Sequence, residues 1–295
     1  MNRVLQDLVA LLDLEPLEVN LFRGQSRDLG GRSVFGGQVI SQALVASNRT
    51  VTPDRQVHSL HAYFLRPGDM AAPIIYEVDR VRDGRSFATR RVQAIQHGEV
   101  ILTMIVSYQK LESGFDHQAA MPQVPPPESL PTLTELAHQW MAEASTPPQP
   151  LVVNWLTRPV AIEFKPVSAR NPLKPDVREP VQQMWFRAAG RLPDDQTLHR
   201  HVLAYASDFT LIGTAQLPHG LVFGQPQLLV ASIDHAIWFH RDLRVDDWLL
   251  YSMDSPSAQA ARGFARGMIF DRQGRLVASV AQEGLMRWIG PNAPG

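Results

Sequence analysis

One pattern constrains this chain more than any other: short motifs occur twice at a nearly constant spacing. Leu60-His61-Ala62-Tyr63-Phe64-Leu65 resembles Asp234-His235-Ala236-Ile237-Trp238-Phe239, which sets His61 and His235 174 residues apart (235 − 61). Arg85-Ser86-Phe87-Ala88 matches Arg262-Gly263-Phe264-Ala265 at 177 (264 − 87). The turn His97-Gly98-Glu99 matches Gln273-Gly274-Arg275 at 176 (274 − 98). Each match is short, and the common spacing carries the inference. The 295 residues exceed one small domain and suffice for two, since a domain usually spans about 100–150. One module present in two copies satisfies both observations.

The seam is a run of prolines, Met121-Pro122-Gln123-Val124-Pro125-Pro126-Pro127-Glu128-Ser129-Leu130-Pro131. Such a run continues neither helix nor sheet and favours an extended connector. A short helix over 133–143 and a second cluster, Pro147 to Pro150, complete the seam. The expected division is 1–117 for the first module, 118–148 for the linker and 149–295 for the second module. Each module reads as a strand (19–23; 182–188), then a helix (37–47; 198–212), then four strands. These four span 56–66, 73–82, 86–96 and 100–110 in the first module, and 226–240, 247–254, 262–271 and 275–288 in the second. Asp83-Gly84 and Gln273-Gly274 are turn signals between strands, so each sheet should be antiparallel. The one long helix per module must bury its apolar stripe on the concave face of that sheet.

Composition removes whole classes of function. Lys and Arg number 28 against 29 Asp and Glu, so the chain lacks the basic excess of a nucleic-acid binder. Cysteine is absent, which excludes disulfides, thiolate nucleophiles and cysteine-ligated metal. The apolar run around Val100 to Val106 is far short of the ~20 residues of a membrane span. Asp7 and Asp13 interrupt any apolar targeting region near the N-terminus, and the last residues carry no Ser-Lys-Leu address. A cytoplasmic location is the expectation. No Gly-x-Ser-x-Gly elbow, Walker loop, Gly-x-Gly-x-x-Gly fingerprint or His-Glu-x-x-His helix occurs. His199 and His201 read as a solvated helix start, and no metal is expected.

Polar residues in apolar company are the candidate site. Asp208 borders the stripe Val202, Tyr205, Ala206, Phe209 and Ile212, with no basic residue three or four positions away. A buried carboxylate without a cation accepts protons more readily; alternatively, Ser207-Asp208 caps or kinks the helix. On the last strand, Leu276, Ala278, Val280, Gln282, Met286 and Trp288 form the inward face, and Gln282 is its polar exception. An unmet buried amide costs ~1–3 kcal/mol, so Gln282 bonds either backbone or something functional. Ser232 is a catalytic hydroxyl or a small residue in a tight sheet. His235 is a base or a ligand, or, through its twin His61, a structural part of the module.

Several long runs then carry a family likeness. Leu21-Phe22-Arg23-Gly24-Gln25-Ser26, Val34-Phe35-Gly36-Gly37-Gln38-Val39 and His61-Ala62-Tyr63-Phe64-Leu65-Arg66-Pro67-Gly68 resemble the acyl-CoA thioesterase II (TesB-like) family. Tyr205-Ala206-Ser207-Asp208, Ile233-Asp234-His235-Ala236-Ile237-Trp238-Phe239-His240 and Gln282-Glu283-Gly284 extend the likeness over about residues 5 to 288. The resemblance implies an α+β double hotdog: two antiparallel sheets, each wrapped around a long central helix. It implies hydrolysis of fatty acyl-CoA to fatty acid and coenzyme A, without a cofactor, in a homo-oligomer. The family's water-activating residues fall on Asp208, Ser232 and Gln282, with Ser where the best-known members carry Thr.

The first module has no carboxylate from Phe35 through Ser47, so catalysis is expected in the second module alone. Gly36 and Gly37 suggest close approach of backbone to substrate or to a neighbour. Two rival readings are a hotdog enoyl-CoA hydratase or dehydratase using Asp208 with His235, and a non-catalytic acyl-CoA-binding module.

Overall fold

A computed structural model describes residues 2–144, 153, 157–222 and 224–291. The first half runs α1 (Arg3–Leu11), β1 (Glu15–Glu18), β2 (Leu21–Gly24), α2 (Gly36–Asn48), β3 (Arg55–Phe64), β4 (Ile74–Asp83), β5 (Phe87–Gln96) and β6 (Glu99–Lys110). A helix α3 (Leu133–Ala142) follows, then β7 (Ile162–Pro166), β8 (Val181–Ala188) and α4 (Gln196–Ser207). β9 (Leu228–Ser232), β10 (Asp234–Phe239), β11 (Leu249–Gln259), β12 (Arg262–Phe270) and β13 (Leu276–Trp288) complete the second half. The strands join in the order β1-β2-β4-β5-β6-β3-β10-β13-β12-β11-β8-β7, with β9 also on β13. The pairs are antiparallel throughout, and β3 against β10 fuses the two halves into one continuous sheet. The double hotdog architecture is therefore present, its two sheets sharing a seam.

The two central helices lie against each other inside this sheet. Ser41 Oγ of α2 donates to the His201 carbonyl of α4 at 2.7 Å. Residues 37 to 47 of α2 and 199 to 207 of α4 are all buried. A helix buried all round has no polar face to spare, so its polar residues find partners inside. Gln42 accepts from Tyr76 Oη at 2.7 Å and donates to the Leu11 carbonyl at 2.7 Å. Ser47 Oγ accepts from Tyr108 Oη at 2.8 Å.

Several expectations change. The first strand was expected from Val19, but Asn20 at φ 62 makes a turn and β2 begins at Leu21. The helix expected to reach Ile212 ends at Ser207: Asp208 is its C-cap, and Thr210 at φ 66 breaks the run. The strand expected over 226–240 divides at Ile233, where Asp234 Oδ1 accepts the Glu283 N–H at 2.6 Å. On β13, Ala278, Val280, Gln282 and Gly284 are buried and alternate with more exposed neighbours, as the period of two requires. Val277, expected to face water, is also buried.

The twinship of His61 and His235 fails. In the β3–β10 register His235 lies opposite Ala62, and His61 opposite Ala236. Directly opposed residues share a face, and His235 is fully buried whereas His61 is exposed, its ring edge-on to Trp238 at 5.0 Å. An offset of 174 thus joins opposite faces, because a one-residue slip along a strand flips every side chain. The offset of 177 between Phe87 and Phe264 keeps both exposed.

The proline-rich seam is extended but not loose. Trp185 Nε1 donates to the Pro125 carbonyl at 2.9 Å, and Gln118 Nε2 to the Gly274 carbonyl at 2.7 Å. Met121, Val124 and Leu130 cover Trp185, Trp248, Leu250 and Phe270 on the second half's sheet. α3 begins at a capping box in which Thr132 and Glu135 satisfy each other's backbone. The cluster from Pro147 to Pro150 lies outside the described residues.

His199 and His201 are buried rather than solvated, because α4 enters the core from its first turn. His199 Nδ1 accepts the Val245 N–H at 3.2 Å, and burial pushes His201 down to about 4. Above pH 6.5 His201 is neutral in both folded and unfolded chains and contributes nothing to pH dependence. Between pH 6.5 and 4 only the unfolded chain takes the proton, so folded stability falls as pH falls. From pH 7.5 to 5, His201 alone should remove on the order of 2 kcal/mol. Urea unfolding at both pH values checks this. A His201→Asn variant that lost as much stability as the parent would remove His201 from the account.

Candidate active site

Asp208, Ser232 and Gln282 come from three different elements and meet. Asp208 follows the last turn of α4, so its side chain leaves the helix axis, and the side chain is only 4% exposed. Ser232 ends β9 opposite Gly284 of β13. Gln282 lies two residues before Gly284 on the same face, the diagonal position that brings side chains of paired strands into reach. Gly284 leaves room for Ile212, since a Cβ there would stand 2.6 Å from Ile212 Cγ1.

Gln282 Nε2 donates to Asp208 Oδ1 at 2.6 Å and to Ser232 Oγ at 3.0 Å. Ser232 Oγ donates to Asp208 Oδ1 at 3.4 Å. The amide orientation follows from the carboxylate, because the flipped amide would set oxygen against oxygen. Among the described residues Gln282 Oε1 is left buried without a hydrogen-bond partner.

The other carboxylate oxygen is held from the first half. The Gly37 N–H, in the first turn of α2, donates to Asp208 Oδ2 at 2.8 Å. Sequence reasoning placed catalysis in the second half and read Gly36 and Gly37 as close approach of backbone to substrate or to a neighbour. In the structure both glycines are fitted to the neighbouring helix: a Cβ at Gly37 would lie 2.5 Å from the Tyr205 carbonyl, and one at Gly36 2.7 Å from Asp208 Oδ2. The helix terminus also places the positive end of its dipole on the carboxylate. Among the described residues Asp208 thus has three hydrogen-bond donors, although no residue three or four positions away is a cation. The capping reading is realised, since Asp208 is the C-cap of α4, and its side chain enters the polar cluster.

His235 was weighed as structural on the strength of His61, and that support is gone. Its Nδ1 lies 3.9 Å from Asp208 Oδ1 and, among the described residues, has no hydrogen-bond partner. Its Nε2 sits 2.9 Å from Ser207 Oγ. Burial lowers its pKa against the opposing pull of Asp208, so the ring is neutral at physiological pH. Beside the cluster stands an aromatic wall: Phe35 meets Phe209 at 4.3 Å and Tyr205 at 5.3 Å between ring centroids. Among the described residues no group of three His, Asp or Glu side chains is arranged to hold a metal. No described helix is long and apolar enough to cross a membrane.

A continuous antiparallel sheet around two buried helices, with this polar cluster at their junction, defines a hotdog-type enzyme core. Residues 156–285 match the family model described as acyl-CoA thioesterase, and residues 25–109 that of the acyl-CoA thioesterase N-terminal domain. The chain is 42% identical to acyl-CoA thioesterase 2 of Haemophilus influenzae, over 98% of this chain and 99% of that protein. It is 41% identical to human acyl-coenzyme A thioesterase 8, over 95% of this chain and 88% of that one. The crystal structure of the acyl-CoA thioesterase II TesB2 from Mycobacterium marinum superposes with a TM-score of 0.78 at 44% identity, covering 98% of this chain and 100% of that one. The chain belongs to the TesB-like acyl-CoA thioesterase II family. It is a thioester hydrolase.

Proposed function

We propose that the protein hydrolyses fatty acyl-CoA to free fatty acid and coenzyme A, with Asp208 as general base and Gln282 and Ser232 positioning the attacking water. The observation that carries this reading is the buried convergence of Asp208, Ser232 and Gln282, with Gln282 Nε2 2.6 Å from the carboxylate. A thioester carbonyl is already electrophilic, so oriented water and a base suffice; the base contributes ~10²–10⁴-fold and orientation adds to it. Water attacks the carbonyl carbon and gives one proton to Asp208. The tetrahedral intermediate collapses, the C–S bond breaks, and the leaving thiolate takes that proton. The first turn of α2 supplies backbone donors for the developing oxyanion: Gly37 N–H already serves Asp208, and Gly36 precedes it in the same turn. On this reading both halves build one site.

The 3.9 Å approach of His235 to Asp208 is the observation that favours the hydratase alternative. Complete burial of His235 behind the carboxylate speaks against it, because a group adding or removing a proton at an enoyl carbon must touch substrate. Free thiol released from palmitoyl-CoA, followed beside crotonyl-CoA absorbance, separates the readings. Thiol release with unchanged enoyl absorbance is expected; absorbance loss without thiol favours the hydratase, and silence in both favours a binding module. Ser232→Ala should lower kcat about 3–10-fold, the worth of one neutral hydrogen bond. Ser232→Thr, which keeps the hydroxyl, should stay near the parent.

A further inference from the structure

Hydrolysis as described leaves His235 without a task, although its ring is fully buried beside Asp208. The hydrogen-bond network assigns the ring's proton. Ser207 Oγ donates its single proton to the Ala204 carbonyl at 3.0 Å. It therefore accepts from His235 Nε2, 2.9 Å away. The ring is neutral, since burial lowers its pKa, so Nε2 carries its one proton and Nδ1 a bare lone pair. Ser207 thus fixes which nitrogen of the ring is bare.

Among the described residues no donor reaches that lone pair. Asp208 Oδ1 faces it at 3.9 Å, too far for a hydrogen bond. The other neighbours offer nothing in its place. β3 sets Ala62 opposite His235. Gln282 of β13 gives its amide protons to Asp208 and Ser232. Tyr251 of β11 donates to the Ser207 carbonyl at 3.1 Å. α2 has no ionisable side chain from Gly36 to Asn48. Two buried acceptors facing each other are unfavourable while Asp208 is a carboxylate. They become a donor and an acceptor once Asp208 is an acid. Closing the contact to hydrogen-bond length takes a movement of about 1 Å, of the kind catalytic hydrogen bonds make as they tighten.

We propose that His235 is a positioning residue for hydrolysis: its Nδ1 accepts a hydrogen bond from Asp208 once the carboxylate has taken a proton from the attacking water, and holds that acid form until the thiolate leaves. This rests on the reading of Asp208 as general base. The proton stays on Asp208 and passes from there to the sulfur. The ring's own proton remains on Nε2, so no further acid or base is required. Buried behind the carboxylate, His235 acts through Asp208 and does not touch substrate.

Nitrogen-15 NMR of the histidine rings tests the geometry without catalysis. At neutral pH His235 of the parent should show a protonated Nε2 and an Nδ1 free of hydrogen bonding. In Asp208→Asn the amide nitrogen takes the place of Oδ1 and stands as a stable copy of the acid. The Nδ1 resonance should then move upfield as it accepts that N–H. Kinetics test the consequence. His235→Gln keeps a donor for Ser207 and loses the acceptor, so kcat should fall about 3–10-fold, as for loss of a single hydrogen bond, with KM near the parent's. His235→Phe, which keeps the ring shape alone, should lose at least as much. A parent ring protonated on Nδ1 overturns the proposal, and so does an Nδ1 resonance unmoved by Asp208→Asn. A folded His235→Gln with parental kcat overturns it too, and would reduce His235 to packing and its bond to Ser207. If neither His235 variant folds, the two NMR measurements decide. A parent that releases no thiol from acyl-CoA sinks the thioesterase reading and this proposal with it, whereas thiol release with a failed NMR or kinetic result sinks this proposal alone.

Discussion

Asp208→Asn should lower kcat by about 10²–10⁴-fold while leaving the melting temperature and substrate affinity close to the parent's. The expectation that the fold survives follows from the donors around the carboxylate. Gly37 N–H holds Oδ2, so the asparagine oxygen stays on that side. The new amide then faces Gln282, whose side chain can turn its unpartnered Oε1 toward it. The shape of the cluster persists and the proton acceptor is gone. Single-turnover hydrolysis and thermal melting read the two effects separately. Near-parental turnover in a folded Asp208→Asn would remove Asp208 as the base. Lost binding with unchanged chemistry on bound substrate would recast it as a substrate contact.

Gly37→Ala should be the most damaging small change in the first half. The added Cβ would meet the Tyr205 carbonyl at 2.5 Å, and that atom is backbone in the last turn of a buried helix. No rotamer relieves the contact, so α2 and α4 must separate. Overpacking of this kind costs about 1–3 kcal/mol, and at roughly 2–4 °C per kcal/mol the melting point should fall by about 2–12 °C. Separation also lengthens the N–H bond to Asp208, so kcat should fall in whatever fraction folds. Gly213→Ala is the control, since nothing lies within 4 Å of the Cβ it would add; its melting point should hardly move. Equal behaviour of the two variants would mean that the helix–helix contact is looser than the geometry indicates.

In the first half β3, β4, β5 and β6 were legible to within two residues at each end, whereas β1 was not expected and β2 begins two residues later than its pattern. β4, β5 and β6 follow from two-residue alternation and glycine turns, which are properties of the chain within a few residues. The second half was less legible where tertiary contacts overrule local pattern. Apolar residues run on past Ser207, yet α4 stops there. Residues 226–240 read as one strand, yet β9 and β10 meet different stretches of β13. The site residues Asp208, Ser232 and Gln282 stood out as polar groups in apolar company. Their roles came from the resemblance, because nothing local links a helix end to two strands 24 and 74 residues later.

By itself, then, the sequence determined the element types, the duplicated architecture and the family, since periodicity, turn chemistry and long motifs are written in consecutive residues. Only the tertiary structure decided which faces and which partners. A slip of one residue separates exposed His61 from buried His235, and no motif comparison detects parity across a sheet. The donor to Asp208 comes from Gly37, 171 residues away, and it is a backbone N–H, which every residue but proline carries. Its position is set by how closely two buried helices approach, a distance that only packing defines.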